Sequence, residues 1–158
     1  MIELIKVASL AEIEQAFVER AHKAIWCSLA TVDGQGRPRS RVVHPVWEGA
    51  TGWLTTRRQS PKTKHLTRVP FVSVAYIADV ANPTYADCHA EWVDDLAEKQ
   101  RVWDWIAQTP PPLGFDPTPM YGSVDDAGFG LLKLTPWRIQ LDSLPTERRV
   151  WEAAKVMG

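Results

Sequence analysis

Ser60-Pro61-Lys62 is the segment of this chain whose residue types are best suited to chemistry. Serine followed by proline is a helix-start signal. Serine caps free amides, and proline is tolerated at the first helical position because the N–H it lacks would be unpaired there anyway. Amides at such a start carry partial positive charge and suit a phosphate. Lys62 and Lys64 add point charges. Just upstream, Thr55-Thr56 places two hydroxyl donors at the end of an expected strand. Arg41 falls on a neighbouring strand, and a guanidinium grips phosphate through two parallel hydrogen bonds. Arg41, Thr56, Ser60 and Lys62 together predict a phosphate site, whereas Lys64 alone reads as a surface charge.

Other catalytic patterns are missing. There is no G-x-S-x-G elbow and no Walker loop. The histidines at 22, 44, 65 and 89 show no metal-ligand spacing, so no metal site is expected. Cys88 and His89 are adjacent on an expected strand, where neighbouring side chains point to opposite faces, so they make a poor catalytic pair. Cys27 reads as a buried structural thiol. Eight tryptophans are many for 158 residues. A flat conjugated cofactor needs an apolar slot, and Trp47, Trp53 and Trp137 are candidates to line one, although core packing explains each equally well. Trp103 and Trp105 read as helix-packing residues. Trp137-Arg138 combines an aromatic surface with a fixed positive charge; pairing of Arg138 with an acidic stretch is the alternative.

These residues must be positioned by a mainly β chain. Ser9 to Glu12 has the pattern of a capping box, and Leu10, Ile13, Phe17 and Ala21 recur at helical spacing, predicting a helix over 9–23. Residues 24–32 read as a strand, Asp33-Gly34-Gln35-Gly36 as a hairpin turn, and 37–48 as the return strand. A turn at 49–52 leads to a third strand at 53–56. The helix opened by Ser60 ends before Pro70. Residues 71–77 read as a buried strand and 84–93 as a weaker one. Asp95 and Glu98 cap a long helix with Leu96, Trp103 and Ile106 inward, ended by Pro110-Pro111-Pro112. Residues 113–127 read as a loop, 129–141 as a last strand bent at Pro136, and 146–156 as a terminal helix. The pattern predicts six mostly antiparallel strands in a closed or nearly closed barrel, with helices packed outside.

Composition narrows the function. The length fits one domain spanning 1–158, and 45% hydrophobic residues fit a real core. The net charge of -1 argues against a nucleic-acid binder. No apolar run is long enough for a transmembrane helix, and Met1 to Lys6 has no signal-peptide pattern, so neither membrane nor export is expected. Two cysteines make no disulfide framework, and a cytoplasmic location is the expectation. Charge is nonetheless segregated. Residues 37–68 hold eight basic side chains against Glu48, about +7, and residues 79–104 hold seven acids against two bases, about -5. Two solvated faces would explain this, as would an anion site in the basic stretch.

Several segments, taken in order, resemble the pyridoxamine 5'-phosphate oxidase-like flavoproteins. They are Leu29 to Asp33, Gly36 to Trp47, Trp53-Leu54-Thr55-Thr56, Ser60-Pro61-Lys62, and Leu134-Thr135-Pro136-Trp137-Arg138-Ile139. The resemblance runs from about residue 9 to 142. It implies a six-stranded antiparallel split β-barrel that binds FMN, normally a homodimer with two cofactors at the subunit interface. It assigns Arg41, Val42 and Val43, with His44 nearby, to the strand that lines the flavin. It places Thr55-Thr56 at the next strand end, Ser60 and Lys62 at the phosphate, and Trp137 and Arg138 against the partner subunit's flavin. Pro61 and Val46 stand where the oxidase proper has basic residues, and the C-terminal residues that hold its vitamin substrate are not recognisable. The stress-protein and actinobacterial-type branches fit better. The implied activity is flavin-mediated redox of a small molecule. A deazaflavin-dependent reductase and a non-catalytic flavin- or haem-binding module are the alternatives. No catalytic residue is assigned. His44 is the nearest proton-donor candidate, with a buried structural histidine as the other reading.

Overall fold

The computed structural model describes residues 1–155. A capping box forms between Ser9 and Glu12 as expected, on a short 3-10 turn at Leu10–Glu12. The regular helix α1 then runs Glu14–Ala24 and buries Phe17 and Ala21. The described residues form nine strands rather than the six expected. They are β1 (Glu3–Lys6), β2 (Cys27–Val32), β3 (Pro38–Val43), β4 (Val46–Glu48), β5 (Thr51–Arg57), β6 (Phe71–Tyr76), β7 (Thr84–Trp92), β8 (Phe129–Ser143) and β9 (Glu147–Glu152). Helices α2 (Pro61–Arg68), α3 (Leu96–Gln108) and α4 (Thr118–Tyr121) complete the chain.

The sheet order is β1-β9-β8-β7-β6-β2-β3, with β5 also on β8 and β4 on β5. All described pairs are antiparallel except β1 on β9. No described pairing joins β3 to β4, so the sheet stays open there. The cause is local. His44-Pro45 interrupts the expected return strand, and proline has no N–H for a ladder. The fold is therefore mainly β with a few helices and an unclosed sheet, as a split barrel requires. The long β8 joins its parts. Its first half pairs β5 and its second half pairs β9, while β7 lies along most of its length. The bend expected at Pro136 is a bulge, where Cys88 pairs Pro136 and Asp87 pairs Arg138.

One core cluster lies under α1 and includes Phe17, Leu29, Trp47, Val74, Leu132 and Ile139. A second lies under α3 and includes Val46, Trp53, Trp103, Ile106 and Phe129. Cys27 and Cys88 are buried free thiols, and burial pushes the Cys27 thiol up to about 12.

Several expectations need correction. Residues 147–152 of the expected terminal helix form β9, and Val156 lies outside the described residues. Asp142, almost fully buried on β8, accepts hydrogen bonds from Arg148 Nε and Nη2 at 2.8 and 2.9 Å, and an extended backbone brings that guanidinium alongside. Asp95 caps α3 through the Glu98 amide as expected, but Leu96 is exposed and Val102 takes its place inside. Residues 71–77 alternate between buried and outward positions rather than being buried throughout. The loop at 113–127 includes α4.

Candidate cofactor site

The opening between β3 and β4 holds a cleft of about 580 Å3. Arg41, Val42 and Val43 of β3 line it, with His44 at the break. Leu54, Thr55, Thr56 and Arg57 of β5 form a second wall, and Ser60 and Lys62 at the start of α2 form its basic end. Eight of the ten residues expected at the site from sequence therefore meet in one cavity, since Trp137 and Arg138 do not line it.

The basic end is electrostatically incomplete. Lys62 is only 8% exposed, yet among the described residues no carboxylate pairs with it. Burial, then the nearby Arg41 charge, holds the Lys62 ammonium below its ordinary pKa. Arg41 is likewise shifted down by burial and by Arg39. Its Nη2 donates to Thr31 Oγ1 at 2.9 Å, and that oxygen also lies 2.7 Å from His65 Nδ1. Arg41 is thus held by polar neighbours without being neutralised. Ser60 is the N-cap residue of α2, but its side chain makes no cap hydrogen bond. Its buried Oγ has no partner among the described residues. The turn is instead fastened by the Thr63 hydroxyl, which donates to the Arg58 carbonyl, and by the Thr63 amide on Ser60 O. The expectation of Ser60 as a side-chain cap is corrected. Two close cations, an unpaired hydroxyl and a helix N-terminus have one shared need, an anion. The residues present fit a phosphate.

The other end of the cleft is aromatic. His44 packs with its ring centroid 5.1 Å from Trp26 and 5.4 Å from Phe115. Burial lowers the His44 pKa, against a backbone hydrogen bond at Leu113, and its buried Nε2 has no partner. Pro112, Phe115, Met120 and Tyr121 bring the segment after α3 to the cleft wall. Trp26 was not anticipated. It follows Ile25, which adopts φ 67°, a left-handed conformation costly for a β-branched residue. That turn leaves Trp26 59% exposed at the cleft mouth. Trp47 and Trp53 do not line the cleft. They are core residues, with Nε1 donating to Tyr76 and Glu48 respectively.

Trp137 and Arg138 sit elsewhere in the same chain. Trp137 faces a small hollow with His89 and Pro136, and its buried Nε1 is unpaired among the described residues. Arg138 lies 3.7 Å from Asp87 and 3.4 Å from Glu152, so it does pair with acids, Asp87 among them from the acidic stretch.

Comparisons with known proteins bear on the fold and the family. Solved structures share the fold. A Clostridium acetobutylicum protein related to general stress protein 26 of Bacillus subtilis, of the pyridoxinephosphate oxidase family, superposes with a TM-score of 0.72 at 14% identity, covering 89% of this chain and 94% of that one. A pyridoxamine 5'-phosphate oxidase-related, FMN-binding protein from Nostoc punctiforme gives 0.61 at 17% identity, covering 84% of each chain. A haem storage protein from Vibrio cholerae gives 0.63 at 22% identity, covering 78% of this chain and 89% of that one. No curated protein matches significantly. The family model described as pyridoxamine 5'-phosphate oxidase matches residues 13–141, most of the sequence and every wall of the cleft, and the chain belongs to that family.

Proposed function

We propose that this protein is an FMN-binding oxidoreductase acting on a small molecule, with its cofactor in the cleft at the open edge of the sheet. The observation that carries the reading is the unneutralised pair Arg41 and Lys62 beside the partnerless Ser60 hydroxyl. Bound FMN supplies hydride or electron transfer, so the protein needs to bind, orient and exclude water rather than provide an acid–base triad. Lys62, Arg41 and Thr56 hold the phosphate, Ser60 donates its hydroxyl, and Thr55 holds the ribityl side. Val42 and Val43 present backbone and apolar surface to the ring. Trp26, Phe115 and Met120 screen the reacting face from water.

The working unit is a homodimer. Support comes from the apolar side chains left open around the cleft mouth, Val42 at 72%, Trp26 at 59% and Met120 at 52% exposure, and from β3, which has a free edge. In that unit Trp137 and Arg138 approach the partner's cofactor. The cytoplasm is the proposed compartment; two free buried thiols suit it, and no helix among the described residues is long and apolar enough to cross a membrane.

The test is an absorbance spectrum after incubation with FMN and gel filtration. Retained near-ultraviolet and blue flavin bands in a dimer-sized peak are expected. A protein that elutes colourless at saturating FMN would end this reading. A second reading, a haem-binding module, is favoured by one feature, the buried His44 Nε2 with no partner, since an imidazole nitrogen is a common haem ligand. A Soret band lost in His44→Ala would support it over FMN.

A further inference from the structure

Thr31 is buried on β2, and its hydroxyl is met by groups from two other elements. Arg41 Nη2, from β3, donates to Oγ1 at 2.9 Å. His65 Nδ1, from α2, lies 2.7 Å from the same oxygen. Among the described residues the hydroxyl has no other hydrogen bond. One proton shared between two partners leaves a single economical arrangement. A guanidinium only donates, so toward Arg41 the oxygen is an acceptor. Its own proton then needs an acceptor, and His65 Nδ1 is the atom in reach. Were Nδ1 to donate instead, the oxygen would receive two hydrogens and its own proton would be buried without a partner, the costlier case. The line therefore runs from Arg41 to Thr31 to His65, each bond polarising the next in the same sense.

This line crosses three elements where the site most needs a tie. Arg41 lies close enough for its charge to oppose that of Lys62, and among the described residues neither has a carboxylate partner. Like charges on β3 and α2 push the strand and the helix apart. His65 and Lys62 are three residues apart on α2 and share a face of it. A bond from His65 through Thr31 to Arg41 fastens the helix that carries one cation to the strand that carries the other. We propose that His65 is a positioning residue for the phosphate end of the cleft: it accepts the Thr31 hydroxyl proton at Nδ1, fixes the Thr31 oxygen as the acceptor for Arg41, and so holds the guanidinium at its working distance from Lys62. This rests on the cleft being the cofactor site.

The test measures dissociation constants by fluorescence titration for FMN and for riboflavin, which lacks the phosphate, at one fixed ionic strength. Wild type is compared with His65→Leu and His65→Asn. Asparagine offers a carbonyl oxygen near the place of Nδ1 and can take the Thr31 proton, whereas leucine fills the space and cannot. Wild type is expected to bind FMN about tenfold or more tighter than riboflavin, the mark of a charged phosphate contact. His65→Leu should cut that preference about fivefold with riboflavin affinity held within about twofold, and His65→Asn should restore it to within about twofold of wild type. In a Thr31→Val background His65→Leu should cause no further loss, because the line is already cut. A His65→Leu variant that keeps the preference or weakens both flavins alike, a His65→Asn variant no better than leucine, or a full additional loss in the Thr31→Val background overturns the positioning role alone. A wild type that binds FMN no tighter than riboflavin overturns the phosphate site together with that role. Binding of neither flavin overturns the cleft reading as well.

Discussion

Lys62→Met separates the cost of the phosphate site from its use. The lysine is buried, faces Arg41, and among the described residues has no carboxylate partner. Methionine matches its length and removes the charge. In the ligand-free protein this relieves an uncompensated buried cation, a change worth roughly 1 kcal/mol of added stability. For a chain of this size that is a rise of about 2–4 °C in Tm. In the complex it removes a charged hydrogen bond of about 1.5–3 kcal/mol, so FMN affinity should fall roughly 10- to 150-fold. The pH dependence has a definite sign. The folded pKa lies below the ordinary 10.5, so between the two values the unfolded chain binds more protons than the folded one. Wild-type stability without ligand therefore rises with pH through that window, and the gap to Lys62→Met closes there. Thermal melts across alkaline pH, with and without FMN, together with fluorescence titration, measure all three effects. A variant that is less stable without ligand, or that binds FMN as wild type does, would refute the reasoning.

Other outcomes follow from single contacts. Thr31→Val removes the hydroxyl shared by Arg41 and His65, and FMN affinity should drop about 2- to 12-fold, the worth of a hydrogen bond of roughly 0.5–1.5 kcal/mol; unchanged affinity in a titration would show that Arg41 needs no such support. Asp142→Asn breaks the paired hydrogen bonds from Arg148 and should cost about 1–3 kcal/mol in urea unfolding at neutral pH. Those Arg148 hydrogen bonds, against the cost of burial, hold the carboxyl below its usual range, so its contribution is whole above about pH 4 and fades as pH falls through the folded value. A gap between wild type and variant that persists unchanged into strong acid would contradict this. Gly52→Ala would place a Cβ 2.8 Å from two Trp47 ring carbons and 3.1 Å from Leu134 Cβ, costing about 1–3 kcal/mol of stability by overpacking; an unfolding midpoint equal to wild type would mean that Trp47 yields freely.

What was legible in the sequence was local. Asp33 makes its turn through side-chain bonds to the Gln35 and Arg37 amides, contacts two and four residues away. The Ser60-Pro61 start of α2 is equally local. Arg41, Thr56, Ser60 and Lys62 converge because a hairpin and one turn connect them. The C-terminal strand was illegible for the opposite reason. Glu147 to Glu152 is short and charged, and only the edge of β8 and the buried Asp142, both distant in folding order from any local signal, draw it into extended form. The strand β1 depends in turn on β9, the only strand it pairs with among the described residues. The tryptophans show the same limit. Trp26, Trp47 and Trp53 are alike as residue types, and only the left-handed turn at Ile25 sends the first to the cleft while the sheet seals the other two in the core. The cap at Ser60 was read correctly by position and wrongly by bond, because Thr63 fastened the turn and left the serine hydroxyl free.

The near-neutral total charge hides how the charges are allotted. Asp33 takes Arg37 and Arg39, Asp142 takes Arg148, Glu48 and Glu98 take Arg101, and Asp87 and Glu152 take Arg138. Each pairing uses an acid on a neighbouring turn or strand. Around α2 the same rule fails. Its first turn contains no acid, Lys62, Lys64 and Arg68 make no ion pair among the described residues, and the acidic stretch of the chain is folded onto β7 and α3. Two adjacent cations in a partly dry cleft lower the stability of the empty protein, and nothing in the local packing offsets them. A fold that keeps such charges buried without a carboxylate partner is explained when a ligand completes the set. Of the basic block seen in the sequence, Arg37 and Arg39 are taken by Asp33, while Arg41 and Lys62 meet at the cleft with no carboxylate partner among the described residues.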